Sequence, residues 1–258
     1  MTSNIQLYQG DCLEVMKGIP DKSIDLVLTD PPYGTTACKW DSVIPLEPMW
    51  EQLKRITKPN AAIVLFGSEP FTSVLVTSNL KSFKYRMDWN KKIPSGMSYA
   101  RFRPMQQTED IVVFTANGER TVYNPQKTLR EVPIKSGGVK HSETAPIANK
   151  DVNFKRTYDY KNPVTLVEFA KVRRGAVHPT QKPVDLMEYL IKTYSNEGDT
   201  VLDFTMGSST TAIASLNTNR NFIGIEKDEN YFNIGVNRVK EHIECRDLKT
   251  ELVINTGD

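Results

Sequence analysis

The stretch Ile24-Asp25-Leu26-Val27-Leu28-Thr29-Asp30-Pro31-Pro32-Tyr33 decides the fold of this chain. Its first six residues are mostly aliphatic, a composition typical of a short buried β-strand. Two consecutive prolines then end the strand, because proline lacks a backbone N–H and fixes its own φ. The sequence therefore places Asp30 and Tyr33 at the carboxyl end of a strand. In open α/β sheets, ligands bind at that edge.

The tetrapeptide Asp30-Pro31-Pro32-Tyr33 carries the groups needed to hold an amine. The Asp30 carboxylate and the Pro31 carbonyl can each accept one N–H, and both become better acceptors as positive charge develops on the nitrogen. Tyr33 offers an aromatic face on which a nucleobase can stack. The same residues are also good turn formers, so the tetrapeptide alone favours a site and a simple turn about equally.

Apolar strands alternate with helices on both sides of the middle of the chain. This alternation predicts βα units and a doubly wound, mostly parallel sheet of the α/β class. Residues 116–177 show no sustained period and are expected to form an irregular insertion. Strands are expected at residues 5–9, 24–29, 61–66, 85–90, 110–115, 200–203 and 221–226.

The composition is that of an ordinary globular protein, with 39% hydrophobic and 25% charged residues in 258. That length is enough for one α/β core with a smaller insertion. No apolar run approaches the length of a membrane span, and the amino terminus lacks a signal-peptide layout, so a cytoplasmic location is expected. Cys12, Cys38 and Cys245 are far apart and have no metal-type spacing, so free thiols and no metal site are expected.

Charge is distributed unevenly along the chain. Between Lys81 and Arg174 there are 19 basic and 9 acidic residues, a balance of +10, whereas the remainder has a balance of −8. A basic middle between acidic ends suggests a surface that meets a polyanion such as DNA, and a solvated lysine-rich insertion is the alternative. The predicted DNA-binding residues are Lys91, Lys92, Arg101, Arg103, Lys155, Arg156, Arg173 and Arg174.

A second ligand-binding pattern lies near the carboxyl terminus. A strand ending at Asp203 leads through a small-residue turn into a helix from Thr210, and the next strand ends at Glu226. Glu226 stands 19 positions after Gly207, close to the spacing at which an acidic side chain holds ribose hydroxyls. An ordinary βαβ unit is the alternative. Because no Gly-Lys-Ser/Thr follows a glycine-rich loop, a phosphate-binding NTPase is disfavoured.

Four segments together resemble the amino-methylating DNA methyltransferases that use S-adenosylmethionine. Asp30-Pro31-Pro32-Tyr33 is similar to their catalytic motif, and residues 201–211 (Val-Leu-Asp-Phe-Thr-Met-Gly-Ser-Ser-Thr-Thr) are similar to their cofactor loop. Residues 178–183 (His-Pro-Thr-Gln-Lys-Pro) and 65–71 (Leu-Phe-Gly-Ser-Glu-Pro-Phe) also resemble family segments. The catalytic motif comes first and the cofactor loop last, which is the permuted order of the β class.

The resemblance implies a Rossmann-like class I methyltransferase fold, S-adenosylmethionine as cofactor and double-stranded DNA as partner. It implies a catalytic half at 1–115, a target-recognition insertion at 116–177 and a cofactor-binding half at 178–258. Catalysis would involve Asp30, Pro31, Pro32 and Tyr33. The implied cofactor-binding residues are Asp11, Phe66, Lys182, Asp203, Phe204, Gly207, Ser208, Thr210 and Glu226, of which Asp11 could instead be a helix cap.

Aspartate at the first motif position favours the N6 amine of adenine as the target of a site-specific, restriction–modification type enzyme. Cytosine N4 is the nearest alternative, because it is also an exocyclic amine. A catalytically inactive DNA-binding relative is another, since Phe204, Thr205 and Ser209 depart from the usual cofactor loop. Ser209 stands where the family usually has glycine, so a side chain is expected at a point of close approach to the cofactor. A homodimer in a bacterial or phage-infected cell is also expected.

Overall fold

The computed structural model describes residues 2–34, 42–116, 118, 120–136, 156–173, 175, 177 and 181–256, without the side chains of residues 136 and 156. The strands are β1 (Ser3–Gln9), β2 (Ile24–Thr29), β3 (Thr57–Gly67), β4 (Phe83–Ser95), β5 (Gln106–Thr115), β6 (Thr128–Ser136), β7 (Arg156–Lys161), β8 (Leu166–Glu168), β9 (Thr200–Asp203), β10 (Asn221–Glu226) and β11 (Thr250–Thr256). The helices are α1 (Cys12–Lys17), α2 (Leu46–Ile56), α3 (Phe71–Ser78), α4 (Val184–Tyr194), α5 (Thr210–Asn217) and α6 (Glu229–Cys245), and a short 3-10 turn covers Met97–Tyr99.

Nine of the strands form one sheet in the order β11-β1-β10-β9-β2-β3-β5-β4-β8. The neighbours from β11 to β3 are all parallel. Beyond β3, β5 is antiparallel to both β3 and β4, and β8 is parallel to β4. The predicted α/β class with a mostly parallel sheet is therefore confirmed.

Helices cover both faces of the sheet because the buried strands alternate apolar side chains between the two sides. In β2, Leu26 and Leu28 belong to a hydrophobic cluster with Leu190 of α4, whereas Val27 belongs to the cluster of Leu53 in α2. The first face carries α4, α5 and α6, and the second carries α1, α2 and α3. This two-sided burial explains why β2 has an almost continuous aliphatic sequence.

The pairing of β2 with β9 brings the two ends of the sequence together. Leu26 lies opposite Val201 and Val27 lies opposite Leu202 in a parallel register. Both strands therefore end at the same edge, so the residues after Thr29 lie beside those after Asp203. This strand pairing positions the site described below.

The sequence interpretation missed several edge elements. Residues 116–177 were expected to be irregular, yet they contain β6, β7 and β8, and the carboxyl-terminal β11 was not predicted. β6 and β7 pair only with each other, and β8 is three residues long, so none has the buried apolar run that marks a central strand. β11 pairs with β1 at the sheet edge and has no fully buried side chain.

The chain divides into two compact units, one of residues 1–124 with 165–258 and the other of residues 125–164. The larger unit contains the nine-stranded sheet and all six α-helices. The smaller unit contains the antiparallel pair β6–β7, in which Leu129 lies opposite Tyr160 and Ile134 opposite Tyr158.

Membrane-spanning helices, metal-type clusters and cysteines can be checked in the described part of the chain. Among the described residues, no helix is long and apolar enough to cross a membrane. In that same part of the chain, no cluster of His, Cys, Asp and Glu has the arrangement of a metal site. Cys12 is buried and Cys245 is exposed, and both are free thiols, while Cys38 lies outside the described residues.

Candidate active site

A cavity of about 570 Å³ opens at the carboxyl edge of the parallel strands. This volume lies within the range of small-molecule and cofactor sites. The cavity is lined by the residues that follow β1, β2, β9 and β10, together with Lys182 just before α4. Of the predicted site residues, those lining it are Asp11, Asp30, Pro31, Pro32, Tyr33, Lys182, Asp203, Phe204, Gly207, Ser208, Thr210 and Glu226.

The Asp30 carboxylate is fixed by two donors inside this cavity. The Tyr33 hydroxyl donates to Asp30 Oδ1 at 2.5 Å, and Lys182 Nζ donates to Asp30 Oδ2 at 2.5 Å. Tyr33 in turn stacks on Phe71, with ring centroids 5.2 Å apart. The carboxylate is therefore held in one orientation while keeping lone pairs that can accept further hydrogen bonds.

Glu109 of β5 extends this pair into a buried network of four charges. Lys182 Nζ lies 3.3 Å from Glu109 Oε2, and Lys91 Nζ donates to Glu109 Oε1 at 3.0 Å. The side chains of Lys182 and Lys91 are only 8% and 5% exposed, so each ammonium depends on the carboxylates for compensation. Two cations and two anions make the network neutral overall.

Burial and charge shift the pKa values of this network in different directions. Burial opposes charge on Lys182, but the adjacent Asp30 and Glu109 carboxylates outweigh it and raise the pKa of Lys182. Burial also opposes ionisation of Glu109, yet Lys182 and Lys91 bring the Glu109 pKa below its ordinary value. The pKa of Asp30 is raised, mainly by burial and secondarily by the Glu109 charge, against the pull of Lys182. Asp30 is thus the member of the network closest to taking up a proton.

Phe66 and Lys91 are placed differently from the sequence interpretation. Phe66 is fully buried beneath Lys182, whose Nζ is 4.9 Å from the ring centroid, and it does not line the cavity. Trp89 lies 5.9 Å from the same ammonium. Lys91 is 4% exposed and paired with Glu109, so it cannot present its charge to a phosphate backbone. Phe66 and Lys91 instead support the buried charge network, Phe66 through its ring face and Lys91 through its ion pair with Glu109.

A cluster of threonines connects Asp203 to the Asp30 backbone. Thr29 Oγ1 donates to Asp203 Oδ1 at 2.6 Å, and Thr211 Oγ1 donates to Asp203 Oδ2 at 2.5 Å. Thr205 Oγ1 lies 2.6 Å from Thr29 Oγ1 and donates to the Asp30 carbonyl at 3.1 Å. Thr205, one of the departures from the family pattern, therefore connects the turn after β9 to the tetrapeptide Asp30-Pro31-Pro32-Tyr33.

The count of protons in this cluster depends on the charge of Asp203. Thr29 and Thr205 have one hydroxyl proton each, but three contacts run from Asp203 through them to the Asp30 carbonyl. When Asp203 is ionised, only two of these three contacts carry a proton. When Asp203 takes up a proton, its Oδ1 donates to Thr29 Oγ1 in place of accepting from it, and all three contacts become hydrogen bonds. Burial raises the pKa of Asp203 to about 6, although hydrogen bonds from Thr211 and Thr29 favour the ionised form.

The turn between β9 and α5 is held against the end of β10. The Gly207 N–H donates to Glu226 Oε2 at 2.9 Å, and the Asp228 N–H donates to Glu226 Oε1 at 2.8 Å. Gly207 has φ of 49°, a left-handed conformation that glycine adopts without strain. Burial raises the pKa of Glu226, and the two backbone N–H groups partly oppose that shift. Arg238 of α6 donates to the carbonyl of Ser208 and, at 3.0 Å, to its hydroxyl.

Ser209 points away from the cavity, contrary to the expectation of a close approach to the cofactor. It is fully buried with φ of 61°, and its Oγ lies 3.4 Å from Met206 Sδ. Gly235 of α6 provides the space, because a Cβ there would lie 2.4 Å from Ser209 Oγ. The serine is accommodated by a glycine on the neighbouring helix.

Asp11 caps α1 and lies at the wall of the cavity. Its Oδ1 accepts the Leu13 N–H at 3.0 Å and caps α1, while its Oδ2 accepts Lys227 Nζ at 3.1 Å. The residue also lines the cavity. Burial would raise the pKa of Asp11, but the hydrogen bonds from Lys227 and Leu13 lower it.

The remaining predicted DNA-binding residues that are described are exposed. Lys92, Arg101, Arg103 and Arg173 all carry exposed side chains. Arg156 is described only by its backbone in β7. Lys155 and Arg174 lie outside the described residues, as do His178, Pro179 and Thr180 of the resembling 178–183 segment.

Glu109 and the Thr29–Thr205 contact were missed by the sequence interpretation. Glu109 lies at the polar start of a strand, and nothing in its neighbourhood marks it as a partner of Lys182. Thr205 was noted only as a departure from the family pattern. Both contacts join residues far apart in sequence, which no local periodicity reveals.

The fold and cavity define a doubly wound protein with a nucleoside-type cofactor pocket beside a carboxylate held at a strand end. The profile of the family described as DNA methylase matches residues 24–237, and the chain belongs to that family.

Individual relatives extend the match over nearly the whole chain. The chain is 28% identical to the Type II methyltransferase M1.MboII of Moraxella bovis over 88% of this chain and 94% of that protein. It is also 28% identical to the DNA adenine methyltransferase YhdJ of Escherichia coli (strain K12), over 98% of this chain and 89% of the relative. The crystal structure of the M1.HpyAVI–SAM complex is 27% identical, covers 91% of this chain and 99% of its own, and superposes with a TM-score of 0.62.

We expect Gly235→Ala to disturb the turn between β9 and α5. The new Cβ would meet Ser209 Oγ at 2.4 Å and the Gly207 carbonyl oxygen at 3.1 Å. Such overpacking costs about 1–3 kcal/mol, so thermal stability should fall and S-adenosylmethionine affinity, measured by calorimetry, should fall with it. Adding Ser209→Gly should restore much of both.

Gly18→Ala is the matched control, because its Cβ would meet only ordinary contact at 3.5 Å. Independent, additive effects of Gly235→Ala and Ser209→Gly would contradict the proposed steric coupling.

We expect Asp203→Asn to change the pH dependence of stability. A carboxyl whose folded pKa is raised from 3.8 to about 6 adds stability below pH 3.8 and loses it as pH rises through 6. The asparagine has no such dependence. The free energy of unfolding of Asp203→Asn minus that of wild type, measured by urea titration, should therefore fall by about 2 kcal/mol when the pH is lowered from 7.5 to 4.5. A pH-independent difference would show that Asp203 is not perturbed.

Proposed function

We propose that this protein transfers a methyl group from S-adenosylmethionine to the N6 amine of an adenine flipped out of double-stranded DNA. The observation that carries the proposal is the shared cavity. Asp30, at the end of β2, lines the same cavity as Gly207 and Glu226, which belong to the cofactor pattern. Family membership supports DNA as the substrate.

The residues around the cavity fit a nucleoside cofactor. Each oxygen of Glu226 accepts one backbone N–H and keeps lone pairs that can accept ribose hydroxyls. The turn at Gly207 and Ser208 forms the adjacent wall. When bound there, S-adenosylmethionine supplies an electrophilic methyl group on its sulfonium.

Asp30 and Pro31 hold the amine that receives the methyl group. The exocyclic nitrogen of adenine is a weak nucleophile, because its lone pair is delocalised into the ring. The Asp30 carboxylate and the Pro31 carbonyl each accept a hydrogen bond from one of its N–H groups, which favours a pyramidal nitrogen. These hydrogen bonds strengthen as the nitrogen becomes positive. No group needs to remove a proton before attack.

Lys182 and Tyr33 keep the acceptor in place during this step. The raised pKa of Lys182 keeps it a cation, so it orients Asp30 and does not act as a base. The raised pKa of Asp30 suits a carboxylate that takes up the proton released by the methylated amine. Tyr33 also offers the base a stacking surface.

The remaining expectations form part of the same proposal. We assign target recognition to residues 116–177, where β6 and β7 expose Lys135, Tyr158 and Tyr160. Cations and aromatic side chains on such a segment suit phosphates and bases. A homodimer, which sedimentation would test, and a cytoplasmic location remain predictions.

The proposal is tested by identifying the methylated nucleoside. Labelled S-adenosylmethionine is incubated with mixed-sequence duplex DNA, which is then digested to nucleosides and separated. We expect the label in N6-methyladenine. Label in N4-methylcytosine would retain the mechanism and overturn the target, and absence of label would overturn the proposed activity.

Asp30→Ala provides the matched negative control. Removing the carboxylate should lower the rate of methyl transfer by about a thousandfold or more, because the target amine loses one of its two hydrogen-bond acceptors. Cofactor binding, measured by calorimetry, and DNA binding should stay near wild type. Glu109 still compensates Lys182 in this variant, so the fold should persist. Retained turnover by folded Asp30→Ala would contradict the catalytic role.

A further inference from the structure

The connection between β4 and β5 exposes an unusual concentration of large apolar side chains. In residues 96–105, which we call the 96–105 loop, Met97 is 75% exposed, Tyr99 56% and Phe102 85%. Exposed apolar side chains are common singly, but three within six residues form a patch that suggests a binding surface. Arg101 and Arg103 flank Phe102 and carry exposed cationic side chains.

The 96–105 loop has an ordered internal structure that presents Phe102 at a fixed place. The Tyr99 N–H donates to the Gly96 carbonyl at 3.0 Å, and the N–H groups of Phe102 and Arg103 donate to the Tyr99 carbonyl at 2.8 and 3.0 Å. The Arg103 guanidinium carbon lies 5.1 Å from the Tyr99 ring centroid. These contacts stabilise the turns while leaving the Phe102 ring uncovered.

The 96–105 loop lies on the same edge of the sheet as the active site. Gln106, directly after the loop, donates through Nε2 to Ser68 Oγ at 2.8 Å, just beyond the end of β3. Glu109, three residues further along β5, contacts Lys182, which holds Asp30. Because a strand advances about 3.3 Å per residue, the end of the loop at Met105 lies roughly 13 Å along the chain from Glu109 of the buried charge network.

Duplex DNA is the partner that this combination of groups fits. Flipping a base out of the helix leaves a gap lined by stacked bases, and phenylalanine and methionine are among the side chains that enter base stacks. Exposed arginines on both sides of such a wedge suit the flanking phosphates. Exposed phenylalanine, methionine and arginine side chains would also fit a protein partner. The place of the loop, at the sheet edge that carries the cavity of a DNA methylase, favours DNA.

We propose that the 96–105 loop is a DNA wedge, in which Phe102 enters the space left by the flipped base while Arg101 and Arg103 contact phosphates. This inference rests on the proposed function, because it requires a base to leave the helix. Phe102 is then a residue for base extrusion, and it takes no part in methyl transfer itself.

The test compares substrates that need extrusion with substrates that do not. Once sequencing of methylated DNA has given the recognised site, two duplexes are made, with the target base paired normally or placed opposite an abasic position. For Phe102→Ala we expect single-turnover methylation of the paired duplex to be slower by about tenfold or more. On the abasic duplex its rate should be within about twofold of wild type, because the target base has no pairing partner there and leaves the helix at a lower cost.

Two variants serve as controls. Phe102→Trp should keep most of the rate on the paired duplex, because it retains a large flat wedge. Leu80→Ala removes a 66% exposed apolar side chain in the turn before β4, away from the cavity edge, and should match wild type on both duplexes. Because Phe102 is largely exposed, its replacement should leave the thermal unfolding temperature unchanged.

Three results would overturn the wedge. Phe102→Ala could match wild type on the paired duplex, could be equally slow on both duplexes, or could change only the oligomeric state, as expected if the ring meets a protein. Failure of the proposed function is recognised separately, because wild type would then methylate no DNA at all.

Discussion

The ion pair between Lys182 and Asp30 is the constraint on which the active site depends. Asp30 follows β2 in the first half of the chain, Lys182 precedes α4 in the second half, and the two groups meet at 2.5 Å. A buried ammonium without a partner is strongly destabilising, so this contact and the Glu109 pair force three separate segments to a common position. The same contact orients the carboxylate that the proposed chemistry requires. One interaction therefore serves both the fold and the proposed catalysis.

The order of strands explains why a permuted sequence produces a single site. β2, which leads into the tetrapeptide Asp30-Pro31-Pro32-Tyr33, lies between β3 and β9, although β9 comes near the end of the chain. Thr205 and Asp203 then contact Thr29 and the Asp30 backbone directly. The cofactor that donates the methyl group and the amine that receives it can share one cavity, because the pairing of β2 with β9 brings the two motifs to the same sheet edge.

The sequence predicted the parts of this molecule that have a local signature. The aliphatic run before Asp30 and the small-residue turn before α5 each correspond to an observed element. Contacts between distant residues left no such signature. The pairing of Glu109 with Lys182 and the space that Gly235 gives to Ser209 depend on tertiary packing. Lys91 illustrates the limit of charge counting, because a lysine in a basic segment is buried against a carboxylate.

The most direct measurement is single-turnover methyl transfer by Lys182→Met at saturating S-adenosylmethionine, followed as a function of pH. If Lys182 acts by orienting and ionising Asp30, the rate at neutral pH should fall by about a hundredfold or more, with cofactor affinity changed only slightly. The rate should then recover as pH rises, because Asp30 without Lys182 ionises at higher pH. A wild-type rate at saturating cofactor, with only the affinity reduced, would instead make Lys182 a cofactor ligand and contradict the central role of the ion pair.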